Sequence, residues 1–222
     1  MVARVLSLLY KEVKGLHQAA YVLALFTFAS QILAIVRDRT LAHQFGAGYE
    51  LDLYYAAFRI PDLLFVLFAS VLSVYVLLPF VVNASSTEVG RRLLSQVFTL
   101  FLVSYSALAT VLFLVAPFCV PFLFPGFDSV AHDQIVSLMR ILLLQPLLLG
   151  ISSLCGVITQ LQHRFVIYAL SPLLYNIGII IGVTVFYERW GLSGLVWGVV
   201  LGALGHVLIQ VPLIIKSDLR FS

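Results

Sequence analysis

Ala19-Ala20-Tyr21-Val22-Leu23-Ala24-Leu25-Phe26-Thr27-Phe28-Ala29-Ser30-Gln31-Ile32-Leu33-Ala34-Ile35-Val36 is a run without a single charge, and it ends on Arg37-Asp38-Arg39. As an α-helix it extends about 27 Å at a rise of about 1.5 Å per residue, close to the ~30 Å of a bilayer's hydrocarbon core. The run therefore predicts a membrane-spanning helix. Phe45-Gly46-Ala47-Gly48 breaks the chain, and a second apolar run follows with Asp52, Arg59 and Asp62 at its start. A charge at mid-bilayer costs roughly 3 kcal/mol on insertion scales. Charges kept in such a place point at one another, at a wet cavity or at the membrane surface.

The same pattern repeats along the chain. Hydrophobic residues make up 62% of the sequence and charged residues only 10%. Mean hydropathy is +1.08, too high for a water-soluble core of this size. About six segments reach spanning length, near residues 17–38, 55–82, 94–118, 135–160, 165–187 and 191–215. The fold class expected is all-α: a polytopic membrane helix bundle of about six transmembrane helices. Residues 17–216 form that body. Residues 1–16 read as a segment on the cytoplasmic face, amphipathic or frayed, and residues 217–222 as a cytoplasmic end.

Charge placement gives an orientation. Arg4, Lys11, Lys14, Arg91, Arg92, Arg164, Lys216 and Arg220 fall on one side of the six-span layout. The other side carries Arg189 against Glu50, Asp52, Asp128, Asp133 and Glu188. Basic loops stay in the cytoplasm, so both termini are expected there.

Turn residues fall between the spans: Asn83-Ala84-Ser85-Ser86-Thr87-Glu88, Pro125-Gly126, Gln160-Leu161-Gln162-His163-Arg164 and Tyr187-Glu188-Arg189-Trp190-Gly191. Tyr187 and Trp190 read as interfacial anchors. Pro61, Pro79, Pro117, Pro146, Pro172 and Pro212 each remove a helical hydrogen bond and favour a kink. Gly194, Gly198 and Gly202 form a small-residue stripe in the last span that admits close approach of another helix, inside the bundle or between subunits. Cys119 and Cys155 lack metal-ligand spacing and read as small packing residues.

The charged constellation is the candidate site. Arg59 and Asp62 stand three apart on a helix and can pair; Asp52 stands seven before Arg59 on nearly the same face. Arg37 and Asp38 are adjacent and project about 100° apart. An inward Arg37 suits phosphate, because the guanidinium fork matches phosphate oxygens and stays charged. The alternatives are that Arg37, Asp38, Arg59 and Asp62 neutralise one another and pin two helices, or snorkel to the surface. Arg140, Gln145, Asn176, His206 and Gln210 are isolated polar groups that read as glue between helices or as cavity lining. No phosphate loop, zinc-protease motif or paired nucleophile and base is present. The expectation is a protein that is not an enzyme, with no cofactor and no metal.

Ser30-Gln31-Ile32-Leu33-Ala34-Ile35-Val36-Arg37-Asp38, Phe45-Gly46-Ala47-Gly48, Asp52 and Ala57-Phe58-Arg59-Ile60-Pro61-Asp62-Leu63-Leu64 resemble the opening of the MurJ (MviN-type) lipid II flippases. Pro125-Gly126-Phe127, Asn176-Ile177-Gly178 and Gln210-Val211-Pro212 continue the likeness in order. The resemblance implies one lobe, the N-terminal one, of a two-lobe flippase fold of the multidrug/oligosaccharidyl-lipid/polysaccharide exporter superfamily. It implies a transporter half in the bacterial cytoplasmic membrane that moves the lipid-linked peptidoglycan precursor, lipid II, by alternating access. Its partners would be an anionic lipid-linked oligosaccharide precursor and a second lobe, either another copy or a separately encoded half. Arg37, Asp38, Asp52, Arg59 and Asp62 are the substrate-binding candidates, with Arg37 on the diphosphate. The chain departs from the family at Gln31, Phe65 and Val66, where the family carries arginines, and at Ala69-Ser70-Val71, where it carries an acidic residue. A non-transporting lobe that scaffolds cell-wall assembly, and a fragment of a longer gene product, are the alternative readings.

Overall fold

A computed structural model describes residues 15–219. The expected N-terminal segment, up to residue 14, and the last three residues of the expected cytoplasmic end lie outside the described residues. Among the described residues nine α-helices follow one another: α1 (Leu16–Phe45), α2 (Tyr49–Leu72), α3 (Val74–Val82), α4 (Thr87–Leu123), α5 (Ser129–Leu142), α6 (Leu144–Leu161), α7 (Phe165–Ile181), α8 (Tyr187–Leu208) and α9 (Val211–Ile215). A π-helical segment, Gly182–Phe186, joins α7 to α8. No strand occurs among the described residues.

These helices make six passes. Among the described residues five stretches are long and apolar enough to span, and the last of them runs over 51 residues, Phe165–Ile215. That stretch is a hairpin. Gly191 has φ of +58°, a conformation that glycine adopts without strain, and the chain reverses there. Beyond the reversal, a Cβ on Gly194 would meet Phe186, one on Gly198 would meet Gly182, and one on Gly202 would meet Gly178. The partner number falls as the glycine number rises, so the two arms run antiparallel. Their backbones approach so closely that a Cβ on Gly198 would sit 2.4 Å from the Gly182 Cα. The glycine stripe therefore packs within the bundle.

One span is broken and another is kinked. The second breaks at Ser73, whose ψ of 133° leaves the helical region and whose hydroxyl accepts from the Tyr75 N–H at 3.3 Å. The fourth kinks at Leu143, which keeps helical dihedral angles and lies three residues before Pro146, whose ring crowds the carbonyl four residues back. The Tyr105 hydroxyl donates to the Leu143 carbonyl at that kink. α2 begins at Tyr49, earlier than the apolar run suggested, because Glu50 and Asp52 occupy its first turn. Carboxylates there oppose the positive end of the helix dipole, which makes this polar stretch helical.

The core divides into two clusters that follow one another along the helices. One gathers Leu53, Ala57, Val120, Ile135, Leu142, Leu195 and Val199 near the α2 start. The other gathers Leu72, Leu94, Phe101, Tyr105, Leu154, Cys155 and Ile158. At the latter end Ser152, Thr159, His206 and Gln210 form a hydrogen-bonded cluster that ties α6 to α8. α1 and α4 are the least covered helices. On α1, Tyr21, Leu25, Phe28 and Ile35 are each at least 65% exposed. This surface is apolar, as lipid or a further helical body requires.

Candidate functional site

α1 packs along α7 and touches the start of α2, and the three helices enclose a cavity of about 310 Å³. Arg37, Asp38, Arg59 and Asp62 all line it, together with Leu41, Tyr54, Tyr55, Phe58, Tyr175 and Ile179. Four of the five candidate residues are thus brought to one place by two helices, α1 and α2, with α7 closing the third side. Asp52 is exposed in the first turn of α2 and is not part of this wall.

Arg37 is the fixed point of the site. Its Nε and one terminal nitrogen reach Asp38 Oδ1 at 2.9 and 2.8 Å. Its other terminal nitrogen donates to Asn176 Oδ1 at 2.9 Å. Neighbours projecting 100° apart still meet, because the long arginine side chain curls back onto the carboxylate. The Asn176 amide nitrogen donates to the Pro172 carbonyl at 3.1 Å and to Ser30 Oγ at 3.4 Å. Asn176 therefore holds α1 to α7 at two points about two turns apart, one on either side of Ala34. Arg59 and Asp62 share the wall without a mutual ion pair or hydrogen bond, although their spacing allows one.

A second cavity, about 590 Å³, begins where Ser30 faces α7. Gln31, Ser73, Tyr75, Ser152, Ser153 and His206 contribute to its wall, and no Asp, Glu, Lys or Arg does. Asn176 stands between the two cavities, bonded to Arg37 of the first and Ser30 of the second. The break at Ser73 matters here: it turns α3 away from α2 and leaves the Ser73 and Tyr75 side chains on this wall.

The sequence reads Asn176 as glue between helices or as cavity lining, and it does not single out Tyr54, Tyr55 or Tyr175. The tyrosines give no signal in an aromatic-rich membrane chain. Gln145 donates to the Tyr175 hydroxyl at 3.3 Å and so supports that wall from behind. Arrangements of this kind, two guanidinium groups and two carboxylates in a polar cleft with aromatic sides, suit a ligand that combines an anionic group with hydroxyls and amides.

The sequence profile of the family described as Lipid II flippase MurJ matches residues 41–222. Among curated relatives, the probable lipid II flippase MurJ of Buchnera aphidicola subsp. Acyrthosiphon pisum is 29% identical over 204 residues, 88% of this chain and 40% of that protein. The probable lipid II flippase MurJ of Aquifex aeolicus is 25% identical over 207 residues, 92% of this chain and 41% of that protein. The lipid II flippase MurJ of Burkholderia cenocepacia is 25% identical over 213 residues, again 92% and 41%. A solved structure, lipid II flippase MurJ in an inward closed conformation, superposes with a TM-score of 0.75 at 24% identity, over 90% of this chain and 43% of that one. The chain thus spans about two-fifths of the length of the relatives it matches. It is a multi-pass membrane protein with the fold of one lobe, and it belongs to the MurJ lipid II flippase family.

Proposed function

We propose that this chain is one lobe of a flippase for the lipid-linked peptidoglycan precursor, set in the bacterial inner membrane with both termini cytoplasmic. A second lobe, another copy or a separate half, completes the cavity and rocks against it. The observation that carries the reading is the Arg37 cavity on the sparsely covered side of α1.

Arg37 binds the precursor's diphosphate, and Asp38 competes with it. In the present arrangement each of the three guanidinium nitrogens is engaged, two by Asp38 and one by Asn176. An arriving phosphate oxygen takes the place of the Asp38 carboxylate, and the carboxylate returns when the headgroup leaves. A charge-assisted hydrogen bond of this kind contributes about 1.5–3 kcal/mol, so the exchange is close to balanced. Arg59 and Asp62 set the local field, Tyr54 and Tyr175 offer faces and hydroxyls to sugar, and Asp52 adds negative charge two helical turns away.

The test is complementation in cells depleted of their own lipid II flippase. Arg37→Ala abolishes growth while the protein still reaches the membrane, and Arg37→Lys keeps part of it, since a point charge lacks the fork. Full complementation by Arg37→Ala would assign these residues to helix pinning instead. One observation favours a second reading, a non-transporting lobe that binds the precursor within a cell-wall assembly: the wall around Gln31 carries no formal charge. Precursor binding without movement in reconstituted vesicles, second lobe included, would select it.

A further inference from the structure

Arg140 lies half-buried on α5, facing a mostly apolar cavity of about 530 Å³ bounded by α4, α5, α6 and Trp197 of α8, in which Ser106 and Thr110 are small polar exceptions. Its Nε donates to the Phe113 carbonyl at 3.2 Å, and its guanidinium carbon stands 4.5 Å from the centre of the Phe113 ring. That carbonyl is available for a physical reason. The residue four positions on is Pro117, which has no N–H to give it. One donor of the guanidinium is thereby used. Among the described residues no carboxylate pairs with Arg140, and neither terminal nitrogen has a hydrogen-bond acceptor. An uncompensated cation inside a spanning bundle calls for an anion.

We propose that this cavity binds one anionic glycerophospholipid, with its phosphate on the terminal nitrogens of Arg140 and an acyl chain against Ala109, Leu144 and Trp197. Charge complementarity and the apolar walls together select the occupant. A neutral lipid would leave the cation unpaired, and a small soluble anion would leave the walls wet. Depth agrees. Arg140 is 11 residues from Ser129, about 16 Å along α5, and its side chain leans toward that end of the helix. A phosphate drawn slightly below its headgroup plane meets a snorkelling guanidinium there. The site is distinct from the Arg37 cavity: the two share no lining residue, and neither α1 nor α2 contributes to this one.

The full chain, reconstituted in nanodiscs of palmitoyl-oleoyl phosphatidylglycerol or of the matching phosphatidylcholine, is released into a mild detergent and weighed by native mass spectrometry. Wild type retains one phosphatidylglycerol per chain and about tenfold less phosphatidylcholine. Arg140→Gln lowers phosphatidylglycerol retention to the phosphatidylcholine level. Ala109→Trp does the same by filling the cavity while keeping the Phe113 contact. Arg37→Ala retains the lipid, which separates this site from the proposed transport site. Equal retention of the two lipids by wild type overturns the proposal without any variant having to fold. So does undiminished phosphatidylglycerol on Arg140→Gln.

Discussion

Arg37 is useful because it is held and not buried in a permanent bridge. Its side chain is about a quarter exposed, and its partner Asp38 is 61% exposed. Removing the competitor should strengthen ligand binding and slow release. Asp38→Asn is expected to bind the lipid-linked precursor several-fold more tightly and to transport it more slowly; a binding assay in detergent paired with a vesicle flipping assay checks both. Asn176→Ala frees Arg37 and Ser30 together and removes the tie between α1 and α7. It should lower activity about tenfold, and Asn176→Gln should recover little, because one added methylene displaces both hydrogen bonds; complementation at matched protein levels reads this out. Arg37, Asp38, Arg59 and Asp62 were legible in the sequence because charges inside apolar runs stand out. Asn176 was not: its importance comes from facing α1, a contact 139 residues distant in sequence. Asp52 is the candidate that stands apart: helical spacing sets it on nearly the Arg59 face, and the structure leaves it exposed in the first turn of α2, outside the cavity wall.

Among the elements, the α7–α8 hairpin depends most sharply on residue size. A side chain at Gly198 would collide with the backbone of Gly182, whereas a Cβ at Gly205 would meet only the Leu174 Cβ at 3.6 Å. Gly198→Ala should therefore destabilise the protein by about 2–3 kcal/mol and Gly205→Ala by well under 1, as judged by melting in detergent. Equal effects would contradict the antiparallel register. The spans themselves were legible, since length and hydropathy suffice to find them. Their ends and breaks were less so. The start of α2 was hidden by Glu50 and Asp52, and the break at Ser73 has no proline to announce it; Pro79 lies inside α3 beyond it. The kink at Leu143 was announced by Pro146, as a proline inside a helix requires.

At the scale of the whole molecule, basic residues give the proposed orientation and the uncovered α1 gives the proposed partner. In a background lacking Cys119 and Cys155, membrane-impermeant thiol reagents should label cysteines at Asp128 and Glu188 in intact cells and should miss Ser86 and Gln162. Reversed labelling would invert the lobe. Ile35 on α1 is 67% exposed, so a cysteine there should crosslink to a second helical body in native membranes. The central claim is that the Arg37 cavity receives the lipid-linked headgroup. A photoreactive phenylalanine analogue at Tyr55, which lines that cavity and is half exposed, tests it most directly. Irradiated cells should yield an adduct of the chain with the lipid-linked peptidoglycan precursor, and Arg37→Ala should eliminate it. An adduct of equal strength in Arg37→Ala, or none from a chain that supports growth, would contradict the account.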